Sequence, residues 1–370
     1  MKILVTGAEG FLGRNLCTTL GRDGSLEILP YDVSSSPESL TAFLDAADVV
    51  VHLAGVNRPE SPAEFVSGNL GLTSDMVEHL EATMKPKTFI FSSSIQAELD
   101  NDYGKSKRAA EDRLRLYAER TGARVRVFRF ANIFGKWCRP NYNSAVATFC
   151  HNIAHGLPIS IRDPAAPLKL LYVDDAVNAV LREIAVTASA AGFAFASAEP
   201  VHETTVGAVA ETIEKIRDGR RSGLLPDFSD PLVKKLNSTF LSYLEPEELP
   251  VAAEMKRDER GWLFELVKSP NAGQIFVSTT KPGKKRGNHY HDTKVEKFCV
   301  VRGMARISLR RIDGRERIDF DVNGENVRMV DIPPGYTHSI ENIGSDDCVT
   351  IFWANEIFDP GRSDTYFQEV

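Results

Sequence analysis

Three histidines and a glutamate in the last third of the chain have the types and spacing of metal ligands. His289 and His291 stand two residues apart in "GNHYH", Glu296 follows them, and His338 lies in "PPGYTHSIEN". Residues two apart on a β-strand face the same side, so both histidines of the first segment can point to one place. Imidazole and carboxylate groups suit Zn²⁺, Fe²⁺ or Mn²⁺. The set predicts a metal site; the alternative is histidines at strand ends that only cover a surface.

A tyrosine and a lysine form a second candidate site. Tyr103 and Lys107 stand four residues apart in "DYGKSK", so on a helix they share one face. An ammonium group in that position can lower the pKa of the phenol and can hold a nicotinamide ribose. The pair follows the serine run that ends at Ser94, where a hydroxyl can donate a hydrogen bond to a reacting carbonyl. Proton transfer is therefore predicted here, against the alternative of an ordinary surface helix.

A glycine-rich turn near the N-terminus predicts a dinucleotide site. "KILVTGAEGFLG" has the pattern of a buried strand, a tight turn and a helix start, with glycines at Gly7, Gly10 and Gly13. Where side chains are missing, backbone amides and the helix N-terminus can approach a pyrophosphate. The alternative is three ordinary turn glycines. The other residues predicted to contact the cofactor lie in this turn, after a second strand, and after a third: Phe11, Leu12, Asp32, Leu53, Ala54 and Gly55.

The acidic residue after the second strand bears on which nicotinamide is used. A carboxylate at Asp32 can accept hydrogen bonds from a ribose 2′-hydroxyl and repels a 2′-phosphate, which favours NADH. Arg14 and Arg58 could receive that phosphate. NADPH therefore stays open.

Two patterns of hydrophobicity divide the chain. Up to residue 242, buried strands such as "DVVVHLAG" and "TFIFSSS" alternate with helical stretches, which predicts a doubly wound parallel sheet of the Rossmann type. A linker is predicted at residues 243–254. From residue 255, short alternating strands around an Asp313-Gly314 hairpin signal predict an all-β barrel.

Composition excludes several classes of partner. The chain has 370 residues, 42% hydrophobic and 26% charged, with a formal net charge of -7, so it gives no long-range attraction for nucleic acid or anionic lipid. Its five cysteines lie far apart, as reduced thiols would. Apolar runs are too short to cross a bilayer, and the first strand begins at Lys2. A cytoplasmic protein without a signal peptide is expected.

The first 242 residues resemble the extended short-chain dehydrogenase/reductase family. The motifs that carry the likeness are "TGAEGFLG", "HLAG", "FIFSSS", "YGKSK", "RFANIFG" and "LLYVDDAV". The resemblance implies proton donation by Tyr103, assistance from Lys107 and orientation of the carbonyl by Ser94. It also implies a sugar-nucleotide pocket lined by Asn132 and by the stretch "GKWCRPNYNS" after it, which contains Lys136 and Asn143. One departure is that Ser94 and Tyr103 are nine residues apart, whereas the family places a longer loop there.

The C-terminal segment resembles the cupin superfamily, whose fold is a double-stranded β-helix. Its two motifs are matched by Gly283, His289, His291, Glu296 and Gly303, and by Pro333, Gly335, His338 and Asn342. "DERGWLFE" and "RGNHYH" are also similar to cupins that epimerise deoxysugar nucleotides. That likeness implies that Arg260 and Arg286 hold a diphosphate and that His289 is a base. Those enzymes lack the second histidine, so His291 favours a ligand role for His289.

The two segments in this order resemble bifunctional capsular polysaccharide synthesis enzymes over almost the full chain. The resemblance implies a bifunctional enzyme that epimerises C3 of a UDP-2-acetamido-2,6-dideoxy-4-hexulose and reduces C4 with NAD(P)H, toward UDP-N-acetyl-L-fucosamine. A homodimer is expected. Zinc is the expected metal, because proton transfer needs no redox-active ion. The alternatives are a redox-neutral epimerase or dehydratase with a structural cupin, and a nucleotide sensor without catalysis.

Overall fold

The computed structural model describes residues 1–59, 61, 63–186, 191–314 and 316–370. It divides into two compact units, Met1–Ile213 with Ser238–Leu244, and Glu214–Asn237 with Glu245–Val370. Residues 214–237 group with the second unit, where Leu225 N–H donates to the Lys268 carbonyl (2.8 Å) and Lys268 N–H to that of Gly223 (2.8 Å). The linker at residues 243–254 stays a prediction.

The first unit is built on a parallel sheet. Its strands are β1 (Lys2–Thr6), β2 (Glu27–Tyr31), β3 (Val49–His52), β4 (Thr88–Ser94), β5 (Arg124–Phe130), β6 (Asn132–Phe134), β7 (Pro167–Tyr172), β8 (Gly192–Ala196) and β9 (Val201–Thr205). Six of them pair in the order β2-β1-β3-β4-β5-β8. Strands β6, β7 and β9 form a smaller sheet.

Helices cover both faces of the parallel sheet. The helices of the chain are α1 (Phe11–Leu20), α2 (Pro37–Ala46), α3 (Ala63–Phe65), α4 (Leu72–Ala82), α5 (Asp102–Thr121), α6 (Ala145–Ala154), α7 (Val173–Ala185), α8 (Val206–Ser222) and α9 (Pro231–Leu241). Ile3 packs with Leu16 of α1 and Val180 of α7. Its neighbour Leu4 packs instead with Met76 of α4 and Leu114 of α5. Successive side chains of one strand thus enter opposite layers, and the predicted doubly wound fold is confirmed.

The strand order locates the nucleotide site. From β1 the chain passes to β2 on one side, and β3 then pairs with β1 on the other. Loops after β1 and β3 therefore diverge at the carboxyl edge of the sheet, which is where such folds bind ligands.

From Lys256 onward, the second unit is built on β-strands. Its strands are β10 (Lys256–Asp258), β11 (Gly261–Ser269), β12 (Gly273–Thr280), β13 (Lys285–Tyr290), β14 (Glu296–Arg302), β15 (Met304–Arg311), β16 (Ile318–Asn323), β17 (Met329–Ile332), β18 (Tyr336–Asn342), β19 (Cys348–Ala354) and β20 (Tyr366–Phe367). They form two sheets, β10-β11-β12-β19-β14-β17 and β16-β15-β18-β13-β20. Phe298 and Phe352 of one sheet pack with Ile307 and Ile340 of the other. The predicted all-β second half is confirmed.

In the part of the chain that the structure describes, helices are too short or too polar to span a bilayer.

Candidate functional site

The glycine turn after β1 allows its backbone to approach the backbone of neighbouring segments closely. Gly7 has a φ of +69°, and a Cβ there would lie 2.8 Å from the Ala54 nitrogen. A Cβ at Gly13 would lie 1.9 Å from the Gly7 carbonyl oxygen. Only glycine satisfies both approaches. The turn after β1, the first turn of α1 with Phe11 and Leu12, and the Leu53–Gly55 segment after β3 therefore meet at the predicted dinucleotide site.

Asp32 is hydrogen-bonded to the same turn. Its Oδ2 accepts a hydrogen bond from Glu9 N–H (2.8 Å) and its Oδ1 accepts one from Val33 N–H (2.8 Å). A carboxylate has further lone pairs free for a ribose hydroxyl. The structure thus places Asp32 beside the glycine turn, where the sequence predicts it.

The start of α5 explains how the short connection between Ser94 and Tyr103 can bring the two side chains to one site. Asn101 caps the helix by accepting a hydrogen bond from Gly104 N–H (2.7 Å). A Cβ at Gly104 would lie 2.1 Å from the carbonyl oxygen of Gln96. Gly104 therefore lets α5 pack directly on the single turn Ile95–Glu98. With that contact, nine residues are enough to bring Tyr103 back to Ser94.

Ser94 and Tyr103 do come together. Burial raises the pKa of Tyr103, and a hydrogen bond with the Ser94 side chain opposes that rise. The expected lowering of this pKa by Lys107 is not found, because burial dominates and the ammonium is engaged elsewhere. The phenol therefore stays protonated at neutral pH, as a proton donor must.

Lys107 is buried at the base of the site. Its side chain is 4% exposed, and its Nζ donates to the Ser92 carbonyl (3.0 Å). Burial lowers the pKa of Lys107 to about 8, while Glu111 opposes the shift. A Cβ at Gly55 would lie 2.9 Å from this Nζ. The lysine thus lies against the segment predicted to hold the cofactor.

A cleft of about 530 Å³ opens in the first unit, a size that suits a small-molecule ligand. Asn143, predicted to line the sugar-nucleotide pocket, lies in its wall with Arg58, Tyr142 and Arg162. The Arg58 guanidinium lies 5.7 Å from the centre of the Tyr142 ring, a cation–π contact. The structure therefore places Arg58 in this cleft.

Two other predicted pocket residues lie elsewhere. Lys136 pairs with Asp174 (2.5 Å) and lines a separate cavity of about 230 Å³. Asn132 donates to the Lys169 carbonyl (3.0 Å) and is not part of the wall of the larger cleft. Tyr142 belongs to the predicted stretch "GKWCRPNYNS". Sequence reasoning overlooked Arg162, which lies outside any motif.

The four predicted metal ligands converge in the second unit. One side-chain ligand atom from each of His289, His291, Glu296 and His338 lies within 4.8 Å of the others. His289 faces His338 across β13 and β18, and the register shifts at the residue between Gly287 and His289. That residue, Asn288, has a φ of +61°. A β-bulge of this kind redirects the side chains that follow it.

The charges of the cluster suit a cation. Nδ1 of His291 and of His338 face the carbonyl oxygens of Asp364 (2.5 Å) and Tyr336 (3.3 Å). A carbonyl only accepts, so each Nδ1 carries the hydrogen and each Nε2 keeps its lone pair. Both Nε2 atoms are buried without a hydrogen-bond partner among the described residues, although they contact Glu296 Oε2 at 3.4 and 3.1 Å. The arrangement fits a divalent metal ion with nitrogen and oxygen ligands.

The pKa shifts of Glu296 and His289 are compatible with the same fit. Burial would raise the pKa of Glu296, but His291 and His338 hold it well below its usual range. Burial, with His338, lowers the pKa of His289 to about 4. At neutral pH the carboxylate is therefore charged and His289 is neutral, as either a ligand or a base requires.

The two arginines predicted to bind a diphosphate meet at one aspartate. Arg260 Nη2 lies 2.5 Å from Asp258 Oδ2, and Arg286 Nη2 lies 4.0 Å from its Oδ1. Arg286 also donates to the Thr279 carbonyl (2.9 Å). Two guanidinium groups against one carboxylate leave a net positive charge. The structure thus brings the pair together and keeps it suited to an anion.

The fold and the first site define a class of protein, a Rossmann-type oxidoreductase that uses a nicotinamide cofactor. Residues 3–192 match the NAD dependent epimerase/dehydratase family. Residues 256–366 match the polysaccharide biosynthesis C-terminal domain.

Individual relatives narrow that class. UDP-2-acetamido-2,6-beta-L-arabino-hexul-4-ose reductase of Pseudomonas aeruginosa is 43% identical over 99% of this chain and 98% of its own length. The crystal structure of the capsular polysaccharide assembling protein CapF from Staphylococcus aureus is 42% identical, with a TM-score of 0.92 and full coverage of both chains. The chain belongs to the CapF-type family of UDP-sugar reductase/epimerases.

A more distant likeness concerns the fold alone. UDP-glucuronic acid 4-epimerase from Bacillus cereus in complex with NAD is 19% identical, with a TM-score of 0.53 over 59% of this chain and 84% of that one.

Proposed function

We propose that the chain is a bifunctional enzyme acting on a UDP-2-acetamido-2,6-dideoxy-4-hexulose. The second unit epimerises C3, and the first unit then reduces the C4 ketone with NAD(P)H. The product is a UDP-6-deoxy-talosamine-type sugar on the route to UDP-N-acetyl-L-fucosamine. The observation that carries the proposal is the convergence of His289, His291, Glu296 and His338 in a chain that also joins Ser94 to Tyr103. The name of the Pseudomonas relative supports the choice of sugar.

The chemistry explains why one chain has both sites. A C4 ketone acidifies the proton on C3, so inversion at C3 has to precede reduction. When bound, the nicotinamide cofactor supplies the hydride, and the divalent metal, expected to be zinc, supplies positive charge near the carbonyl. Reduction removes the ketone and prevents further exchange at C3. The second step therefore makes the first one irreversible.

The residues of the first unit have distinct roles in reduction. Tyr103 donates its phenolic proton to the C4 oxygen, and its raised pKa keeps that proton in place until it is needed. Ser94 orients the carbonyl through its hydroxyl. Lys107 is buried and has a pKa of about 8. It holds the nicotinamide ribose, and its positive charge stabilises the phenolate that Tyr103 becomes after donating its proton. Such general-acid assistance contributes about 10²–10⁴-fold.

Substrate binding in the first unit is assigned to the 530 Å³ cleft. Arg58 and Arg162 provide charge for a diphosphate, and Tyr142 offers an aromatic face for a base. Asn143 supplies a polar contact in the same wall. In the second unit, Arg260 and Arg286 carry the charge for a diphosphate, and the His289 cluster binds the metal.

Incubation of the keto sugar with the enzyme in D₂O tests the proposal. Without reduced cofactor, deuterium is expected at C3 of the recovered ketone. With reduced cofactor, the cofactor is consumed and the product carries deuterium at C3 and no ketone. Product formation without loss of reduced cofactor would support a redox-neutral epimerase instead. Reduction without deuterium would remove the epimerase assignment from the second unit.

The oligomeric state is proposed to be a homodimer. Light scattering coupled to size-exclusion chromatography measures it directly. A mass equal to that of one chain would contradict it.

A further inference from the structure

The last residues of the chain wrap around the candidate metal site. Residues 363–369, called here the C-terminal strap, pair through β20 with His289 and Tyr290 of β13. Gln368 N–H donates to the Asn288 carbonyl (3.0 Å), and the Thr337 hydroxyl donates to the Gln368 carbonyl. The strap therefore contacts the strand of His289 and the residue next to His338.

One residue of the strap touches His291 and the loop that leads to Glu296. The Asp364 carbonyl accepts the Nδ1 proton of His291. The Asp364 carboxylate accepts hydrogen bonds from the backbone N–H groups of Asp292 (2.9 Å), Thr293 (3.0 Å) and Lys294 (2.8 Å). It also accepts one from the Thr293 hydroxyl (3.0 Å). Lys294 Nζ donates back to the Ser363 carbonyl (2.7 Å).

These contacts have a direct effect on metal coordination. Residues 292–294 join two of the four candidate ligands, so fixing their backbone fixes the separation between His291 and Glu296. The bond to Nδ1 sets the tautomer of His291 and directs its Nε2 lone pair into the cluster. Asp364 has a φ of +41°, a conformation that Asp and Asn adopt more readily than most residues.

We propose that Asp364 is a positioning residue for the metal and that the C-terminal strap is required for metal retention. The inference rests on the proposed metal site. It adds to that site a segment about seventy residues along the chain from the ligand His291. This segment lies outside the motifs that contain the four ligands.

The substitution Asp364→Asn tests the carboxylate without a change in size or in backbone preference. An amide keeps one acceptor and turns the other side into a donor, which opposes the N–H groups of residues 292–294. We expect Zn²⁺ affinity, measured by competition with a chromophoric chelator, to fall about 10–100-fold. The absorption spectrum of the Co²⁺-substituted protein should also change, since it reports ligand geometry.

Asp359→Asn is the matched control, since Asp359 lies just before the strap and, among the described residues, its carboxylate accepts hydrogen bonds from its neighbours Gly361 (2.9 Å) and Arg362 (3.3 Å). Its Zn²⁺ affinity should equal that of the unmodified protein. The melting temperature of each variant, measured with a chelator present, shows whether a lower Zn²⁺ affinity results from less stable folding. Equal Zn²⁺ affinity and equal Co²⁺ spectra for Asp364→Asn would overturn the role of the strap.

Thr293→Val tests the role of Asp364 in Zn²⁺ retention if Asp364→Asn does not fold. It removes a single hydrogen bond to Asp364, so a several-fold loss of Zn²⁺ affinity supports the proposal, and an unchanged affinity overturns it. If the unmodified protein does not bind Zn²⁺ or Co²⁺, both the metal site and the strap proposal fail. Normal binding that neither variant alters would refute the strap alone.

Discussion

At the scale of single residues, burial controls the chemistry of the reductase site more than the distance between charges does. Tyr103 has a raised pKa because it is buried, and Lys107 has a pKa of about 8 for the same reason. Their helical spacing predicts an attraction between ammonium and phenol, yet Lys107 donates instead to the Ser92 carbonyl. A neutral phenol and a largely protonated lysine at pH 7 are suited to giving a proton to a ketone.

Replacing Tyr103 by Phe removes that proton and keeps the ring. We expect reduction of the keto sugar to fall about 10²-fold or more, while deuterium exchange at C3 continues, because exchange depends on the second unit. Steady-state consumption of reduced cofactor and mass spectrometry of the recovered sugar measure the two activities. Tyr117→Phe, on the same helix, is the control and should retain reduction. Simultaneous loss of both activities in Tyr103→Phe would show that the two sites are not independent.

Asp32 leads to an expectation about the cofactor. Its carboxylate lies on the glycine turn through Glu9, where it repels a 2′-phosphate. Use of NADH at least comparable with that of NADPH is expected, and kcat/KM for each cofactor measures it. A preference for NADPH of more than about 100-fold, or roughly 2.7 kcal/mol, would show that the effect of Arg14 or Arg58 exceeds the repulsion by the carboxylate.

At the scale of elements, small local features place the site residues. The bulge at Asn288 changes the register of β13 against β18, and the histidine of β13 then meets that of β18. In the first unit, Gly104 allows α5 to start against the turn Ile95–Glu98. Each feature replaces a longer loop or a regular strand with a close backbone contact. The contact at Gly104 is therefore sensitive to an added side-chain atom.

Another close backbone contact is at Gly13 on α1. Because a Cβ there would overlap the Gly7 carbonyl oxygen at 1.9 Å, Gly13→Ala should destabilise the protein by about 1–3 kcal/mol and weaken cofactor binding at least tenfold. Gly24→Ala has no heavy atom within 4 Å of the added carbon, and it should change stability by less than about 0.5 kcal/mol. Thermal denaturation and cofactor titration compare the two. Equal behaviour of both variants would contradict the close approach.

At the scale of the whole molecule, the proposed function assigns the chain two chemistries whose requirements differ. Under this proposal, reduction needs a proton donor and a nicotinamide, and exchange at C3 needs the metal cluster. The two sites share no ligand residues, so each should be removable without the other.

Metal removal tests that independence. Chelation, or His291→Ala, should abolish bound zinc and exchange at C3, while reduction of a sugar already inverted at C3 stays within about twofold of its original rate. Acidification should also release the metal, because protons compete for the histidine ligands. Metal analysis measures the bound zinc, and consumption of reduced cofactor measures the rate of reduction. Full exchange by thoroughly metal-depleted protein would instead make His289 a simple base.

The sequence alone determined the elements and the identities of the reacting groups. Local signals do this work: the glycine turn, the alternation of strands with helices, and the short spacing of His289 and His291. Each depends on residues that are neighbours in the chain, and their physical effect does not require the rest of the fold. The doubly wound sheet and the all-β second half were predictable for that reason. The convergence of the four candidate ligands was predicted from the resemblance of their two motifs to the cupin superfamily.

Only the tertiary structure decided which distant residues share a surface. Lys136 has the charge for a substrate phosphate, yet Asp174 binds it in another cavity, and Arg162 reaches the cleft from a segment without a motif. Asp364 meets the loop after His291 although six strands, β14 to β19, lie between them in the described part of the chain. Contacts of this kind depend on how strands and helices pack after they form. Periodicity and spacing contain no information about that packing, since they describe one element at a time.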